Sequence, residues 1–171
     1  MEHSMNNGGP IPMDSMNCDL LKLENQLCFP LYAASREVIK LYKPFLDELD
    51  LTYTQYLAML LLWEHESLTV KEMGDYLFLD SGTLTPLLKK LEAKGVITRT
   101  RSRKDERNLD VALTASGKAL QECARHIPGE MGKYNPLSLE ETVTLYHLLY
   151  KMLGKENMAD PEWAFLESNK D

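Results

Sequence analysis

The chain is poor in cysteine: Cys18, Cys28 and Cys123 are the only three in 171 residues. An odd number at wide spacing excludes a disulfide framework and favours a reducing, cytoplasmic setting. Long apolar runs are missing too. The longest, Leu57 to Trp63, is far too short to cross a bilayer, so no membrane partner is expected. The N-terminal MEHSMNNGGPIPMDSMN has neither the basic region nor the apolar stretch of a secretory signal. Its Gly8-Gly9-Pro10 and Pro12 oppose regular structure, so residues 1–18 read as a disordered leader. The four histidines are scattered and form no metal-ligand pattern with the cysteines. No glycine-rich phosphate loop, G-x-S-x-G elbow or C-x-x-C pair occurs. Neither a metal nor a cofactor is expected, and a thiol peroxidase or oxidoreductase is the weakest of the functional readings.

Positive charge is scarce overall, with 19 Lys/Arg against 26 Asp/Glu and a net charge of −7. One segment runs against this trend. From Lys89 to Arg107 there are eight basic residues (Lys89, Lys90, Lys94, Arg99, Arg101, Arg103, Lys104, Arg107) and three acids (Glu92, Asp105, Glu106). That is +5 in nineteen residues, leaving −12 for the remainder. Charge concentrated in this way suggests a polyanionic partner for this segment.

The local signals around it are ordered. Leu20 to about Lys43 reads as a long helix, with Leu20, Leu23, Leu27, Leu31 and Ala34 on one face. Pro30 is expected to kink it, and Pro44 to bend or stop it. Thr52 can cap a helix from Tyr53 to about Glu66, apolar nearly all round and therefore central. Thr69-Val70-Lys71-Glu72 is a capping box, opening a helix that ends near Leu77. Asp80 or Ser81 can cap the next helix, which Gly95 ends; Pro86 fits cheaply only in a first turn. Val96 to Arg101 and Asn108 to Leu113 read as a hairpin with a charged tip. Thr114 caps a helix to about His126, broken at Ile127-Pro128-Gly129. Ser138 to Glu141 is a second capping box, for a helix that Gly154 stops.

Two short helices followed by a β-hairpin make a winged helix-turn-helix. Its second helix would enter the major groove of double-stranded DNA by its N-terminus, led by Ser81, Thr83 and Thr85. None of these gives a bidentate base contact, so DNA shape and the wing carry much of the preference. Lys89, Lys90, Arg99, Arg103, Lys104, Asp105 and Arg107 complete the expected DNA-binding set. Arg107 leads it, as an arginine suited to a narrow minor groove. The competing reading is a solvated basic edge that protects a small sheet.

The segment resembles the winged-helix core of the MarR family, whose wing mark D-x-R stands here as Asp105-Glu106-Arg107. It is most similar to the branch of organic-hydroperoxide-sensing repressors called OhrR. The similarity lies in LENQLCF (Leu23 to Phe29), LYxxSRE (Leu31 to Glu37), Tyr42 to Gly74, and LDSGTLTPLLKKLEAKGVITR (Leu79 to Arg99). It implies a mainly α fold: residues 19–153 form a winged helix-turn-helix domain with N- and C-terminal dimerisation helices, the wing is the only sheet, and 154–171 form a tail. It also implies a homodimer on a pseudo-palindromic operator, with the first, fifth and sixth helices building the interface.

The same resemblance implies that Cys28 is the redox sensor, hydrogen-bonded by Tyr42 and Tyr53 of the partner subunit, with an organic hydroperoxide as oxidant. Phenol donors favour the thiolate, which is the nucleophile, and its attack on the O–O bond gives a sulfenic acid. Tyr32, four residues after Cys28, shares its face and is placed to line the pocket. The alternative is an inert cysteine on an apolar face. Cys123 lies about ten residues before the place where the branch carries a second, resolving cysteine; this chain has Lys133 there. Cys123 and Cys18 are both possible resolving partners. A further alternative in the same fold is a repressor released by a small phenolic or carboxylate ligand, with Cys28 incidental.

Overall fold

A computed structural model describes residues 20–101, 108–155, 159–161 and 163. A 3-10 turn, Leu23–Asn25, precedes α1, Cys28–Glu48. Then come α2 (Tyr53–His65), β1 (Ser67–Thr69), α3 (Val70–Leu77), α4 (Ser81–Ala93), β2 (Ile97–Arg101), β3 (Leu109–Leu113), α5 (Ala115–Ala124), α6 (Ile127–Gly132) and α7 (Leu139–Met152).

The short-range signals act as expected. Thr52, Thr69 and Ser138 each accept an N–H from the residue three ahead, and Gln55, Glu72 and Glu141 reach back to close capping boxes. Asp80 caps α4. At its far end Gly95 adopts φ 73°. There Gly95 N–H donates to the Glu92 carbonyl and Val96 N–H to the Leu91 carbonyl, a Schellman close that turns the chain into β2.

Three expectations need correction. The first helix begins at Cys28, which puts Pro30 in its first turn, where the missing N–H costs nothing. It then continues through Pro44 to Glu48. Pro44 removes one backbone bond, but Leu46 is buried at 2% and Phe45 and Leu49 pack on the core, so tertiary burial carries the helix past it. Pro86 likewise sits beyond the first turn of α4, held by the buried Leu84, Leu87, Leu88 and Leu91. The third correction concerns the sheet. The wing hairpin is not alone: β1 pairs with β3, in the order β1-β3-β2, all antiparallel. Leu68 stands opposite Val111, and Ile97 opposite Leu113. Three residues are too few for an alternating pattern to mark β1. The break after α5 also proves to be a short helix, α6, with Pro128 in its first turn.

The core lies where α2, α3, α4 and the sheet meet. Ala58, Met59, Leu62, Met73, Leu84, Leu88, Leu91 and Val111 are fully buried. α7 buries none of its residues, and Leu145, Leu148, Met152 and Leu153 face solvent. So do Leu27, Phe29, Leu31, Val38 and Ile39 on and before α1. Part of the tail returns to α7: His147 meets Asp160 at 2.7 Å, and the rings of Tyr146 and Trp163 sit 6.2 Å apart. No helix among the described residues is long and apolar enough to cross a membrane.

Candidate sensor and nucleic-acid interface

Cys28 is the first residue of α1, and it is exposed. Tyr32 lies one turn on, also exposed, with the Arg36 guanidinium 5.5 Å from its ring centre. Tyr42 and Tyr53 are half-buried across the α1–α2 corner, their rings 5.0 Å apart. Tyr56, buried at 2%, stands 5.9 Å from Tyr42 and 6.1 Å from Trp63. The sequence reading missed Tyr56 and Trp63. Their spacing of three and ten residues from Tyr53 puts all three on one face of α2, and that signal was available.

Burial pushes the Tyr42 and Tyr53 phenols above their usual range, and for Tyr42 the neighbouring Tyr53 adds to it. Burial, with both neighbours, pushes Tyr56 up to about 12. All three hydroxyls therefore hold their protons at neutral pH and can donate. Within one chain they cannot donate to Cys28. Fourteen residues of continuous α1 separate Cys28 from Tyr42, about 21 Å at the helical rise.

Of the other candidate thiols, Cys123 is exposed on α5. Lys133, at the position expected for a resolving cysteine, caps α6 and pairs with Glu130 at 2.6 Å. Cys18 lies outside the described residues.

The second candidate surface is α4. Its leucines face the core; Ser81, Thr83, Lys89 and Lys90 face out and Thr85 is half-buried. The helix start is already occupied. Asp80 Oδ1 accepts the Thr83 N–H at 2.8 Å, and the Thr83 hydroxyl donates to Oδ2 at 3.2 Å. These bonds hold the Asp80 carboxyl below its usual range. A phosphate approaching the helix start would meet this anion, so the exposed hydroxyls and methyls of α4 suit base edges better. The Thr85 hydroxyl donates to the Ser81 carbonyl at 2.7 Å, which commits its proton.

Arg99 also departs from expectation. Its guanidinium grips Glu92 at 2.6 and 3.1 Å, and its backbone N–H donates to the same carboxylate at 3.2 Å. With only 15% of its side chain exposed, it fastens the wing to α4 rather than reaching outward. Arg103, Lys104, Asp105 and Arg107 lie outside the described residues. A cleft of about 820 Å3 opens between α3, α4 and the sheet, lined in part by Lys71, Ser81, Thr85, Arg99 and Asn108. Lys71, exposed in the first turn of α3, is a cation on this side that the sequence reading passed over.

The chain is similar to several known proteins. Residues 40–122 match the family described as transcriptional regulator SarA/Rot. An organic hydroperoxide resistance transcriptional regulator of Bacillus subtilis is 57% identical over 135 residues, 79% of this chain and 92% of that protein. Reduced AbfR bound to DNA superposes with a TM-score of 0.66 at 37% identity, covering 77% of this chain and 91% of AbfR. AbfR with its disulfide formed gives 0.55 at 40% identity, covering 74% and 92%. A mutant MarR of E. coli, complexed with operator DNA, gives 0.68 at 27% identity, covering 74% and 93%.

Proposed function

This chain belongs to the MarR/SarA family of transcriptional regulators and is an OhrR-type redox-sensing member of it, not an enzyme; we propose that Cys28 is its sensor and that oxidation of Cys28 by an organic hydroperoxide releases operator DNA. One observation carries the assignment. The exposed thiol begins a continuous helix whose flanks are apolar and uncovered, and Tyr42, fourteen residues along it, pairs with Tyr53 across the α1–α2 corner.

A two-fold partner resolves that separation. If two α1 helices cross antiparallel near the midpoint between residues 28 and 42, each Cys28 meets the partner's tyrosines. The midpoint falls at Ser35, which follows Ala33 and Ala34, small residues that let backbones approach closely. α7, with no buried residue of its own, gains cover from the same partner. An isologous interface repeats such a contact twice. The protein is therefore expected to sediment as a dimer at micromolar concentration; a monomer under those conditions would remove the site.

The chemistry balances simply. The Cys28 thiolate attacks one oxygen of ROOH, the O–O bond breaks, and the alkoxide leaves as ROH after taking a proton. The resulting sulfenic acid condenses with a thiol to give a mixed disulfide and water. Tyr42 and Tyr53 donate to the thiolate and hold it for attack, and Tyr32 lines the entrance. With both Tyr42 and Tyr53 changed to Phe, the rings and their packing remain while the donors are lost. Peroxide consumption by Cys28, followed by stopped flow, should slow by about 100-fold, roughly tenfold for each of the two charge-assisted hydrogen bonds lost, with reduced DNA affinity unchanged. Equal rates in variant and parent would refute the assignment of the tyrosines.

In the dimer, α4 of each subunit reads a half-site of a pseudo-palindromic operator, with centres about 34 Å apart. Ser81, Thr83 and Thr85 face base edges, Lys89 and Lys90 the backbone, and Arg107 of the wing the minor groove. Residues 19–153 make up this regulatory domain, with 1–18 as leader and 154–171 as tail. Its place of action is the cytoplasm, where both DNA and reducing thiols are found. The direct test is a mobility-shift assay on the promoter beside its own gene. Cumene hydroperoxide with a small thiol should release the DNA, and dithiothreitol should restore binding. The cleft beside Lys71 supports a second reading, release by a small phenolic or carboxylate ligand; release by phenol or benzoate without peroxide would favour it.

A further inference from the structure

The α1–α2 corner that carries the sensor tyrosines is also fastened to the recognition helix. Asp50 turns the chain out of α1 at φ 51°. Leu51 follows, buried at 6% in the same core as Leu87 and Leu91 of α4. Thr52 caps α2, and Tyr53 is its first residue. From the other side comes Lys94, the C-cap of α4. Its ammonium donates to the main-chain carbonyl of Asp50 and lies 3.0 Å from the Asp50 carboxylate. Only 29% of the Lys94 side chain is exposed, against 89% for Asp50, so the lysine lies along the corner instead of extending into water.

An exposed ion pair alone is worth little. This contact differs because the ammonium holds backbone, in a left-handed turn three residues before Tyr53. α4 is a continuous helix from that pin to Ser81, thirteen residues and about 20 Å away. A small pivot at Lys94 therefore becomes a larger displacement at the end of α4 that faces the groove.

We infer that Lys94 couples sensor to reader: movement of the Tyr53 corner on oxidation of the partner's thiol reaches α4 through the Lys94–Asp50 contact. This rests on the redox reading above. The corner supplies the element that both sites must bias, pulled by the tyrosines on one side and by DNA-bound α4 on the other. Lys94 touches neither thiol nor tyrosine ring, so its role is positional.

The experiment compares wild type, Lys94→Met, Lys94→Arg and Asp50→Asn as full-length dimers. Each is titrated onto its promoter fragment, reduced and after cumene hydroperoxide with a small thiol. Wild type should lose about 100-fold in affinity on oxidation, within the usual range of allosteric coupling. Lys94→Met should bind as tightly as wild type when reduced yet lose less than about fivefold on oxidation, although mass spectrometry finds Cys28 fully modified. Lys94→Arg should restore release. Asp50→Asn, which keeps the carbonyl and tolerates the left-handed turn, should behave like wild type. Full release of oxidised Lys94→Met overturns the inference. So does failure of its reduced form to bind, since the lysine would then be merely structural. A wild type that ignores peroxide would instead bring down the redox reading itself.

Discussion

Cys28→Ser protein is expected to remain on its operator at every dose of organic hydroperoxide, while its reduced affinity matches that of wild type. A serine hydroxyl cannot become a sulfenic acid, so the first step of the switch is deleted while its geometry is kept. The residue begins α1 and is exposed, and serine is at least as well accommodated at a helix start as cysteine. The expected contrast is about 100-fold loss of affinity on oxidation in wild type and none in the variant. A Cys18→Ser/Cys123→Ser protein should still release when a small thiol accompanies the peroxide, with the mixed disulfide found on Cys28. Release of Cys28→Ser by peroxide would transfer the sensing role elsewhere. Loss of reversible release on Cys123→Ser alone would instead make the mechanism an intersubunit disulfide.

The largest expected loss of stability is at Gly117. A methyl group there would stand 2.0 Å from the Val96 carbonyl oxygen and 3.0 Å from a Leu113 methyl. The Leu113 methyl can swing aside, but the Val96 backbone cannot yield easily. Val96 O accepts the Thr114 N–H at 3.1 Å, and the Thr114 hydroxyl donates to the Gly95 carbonyl at 2.7 Å. Gly117 O accepts the Trp63 indole N–H at 2.9 Å. Gly117→Ala must therefore push α5 off the root of the wing. The cost should be about 3 kcal/mol, at the upper end for overpacking. Thermal unfolding of a chain this size should then fall by roughly 6–12 °C. Operator affinity should fall with it, because Val96 leads into β2. A melting temperature within about 2 °C of wild type would mean the backbone gives way more readily than these contacts allow.

Local rules and global packing divided the work of building this fold. Thr69 with Glu72 and Ser138 with Glu141 announced helix starts, and Gly95 and Gly154 announced helix ends, because caps satisfy orphan backbone groups within four residues. Pro44 and Pro86 misled for the complementary reason. The penalty of a proline inside a helix is local and fixed, whereas the burial of Leu46 or of Leu84, Leu87, Leu88 and Leu91 that outweighs it depends on distant segments. β1 escaped notice because it is a strand only by virtue of β3 beside it.

The chemistry followed the same division. The sequence by itself determined which residues were candidates: Cys28 in its L-C-F setting, Tyr42 and Tyr53, and a basic segment following a helix-turn-helix. Residue type and short spacing mark the basic segment and its helix-turn-helix, and the resemblance to the OhrR branch singles out the thiol and the two tyrosines. Only the tertiary structure decided how they stand to one another. It brought Tyr42 within 5.0 Å of Tyr53 across a corner and put the length of α1 between both and Cys28. It turned Arg99 inward onto Glu92 and laid Lys94 against Asp50, forty-four residues away in the chain. Contacts between elements depend on the angles and burial of whole helices, and no short window of sequence encodes those.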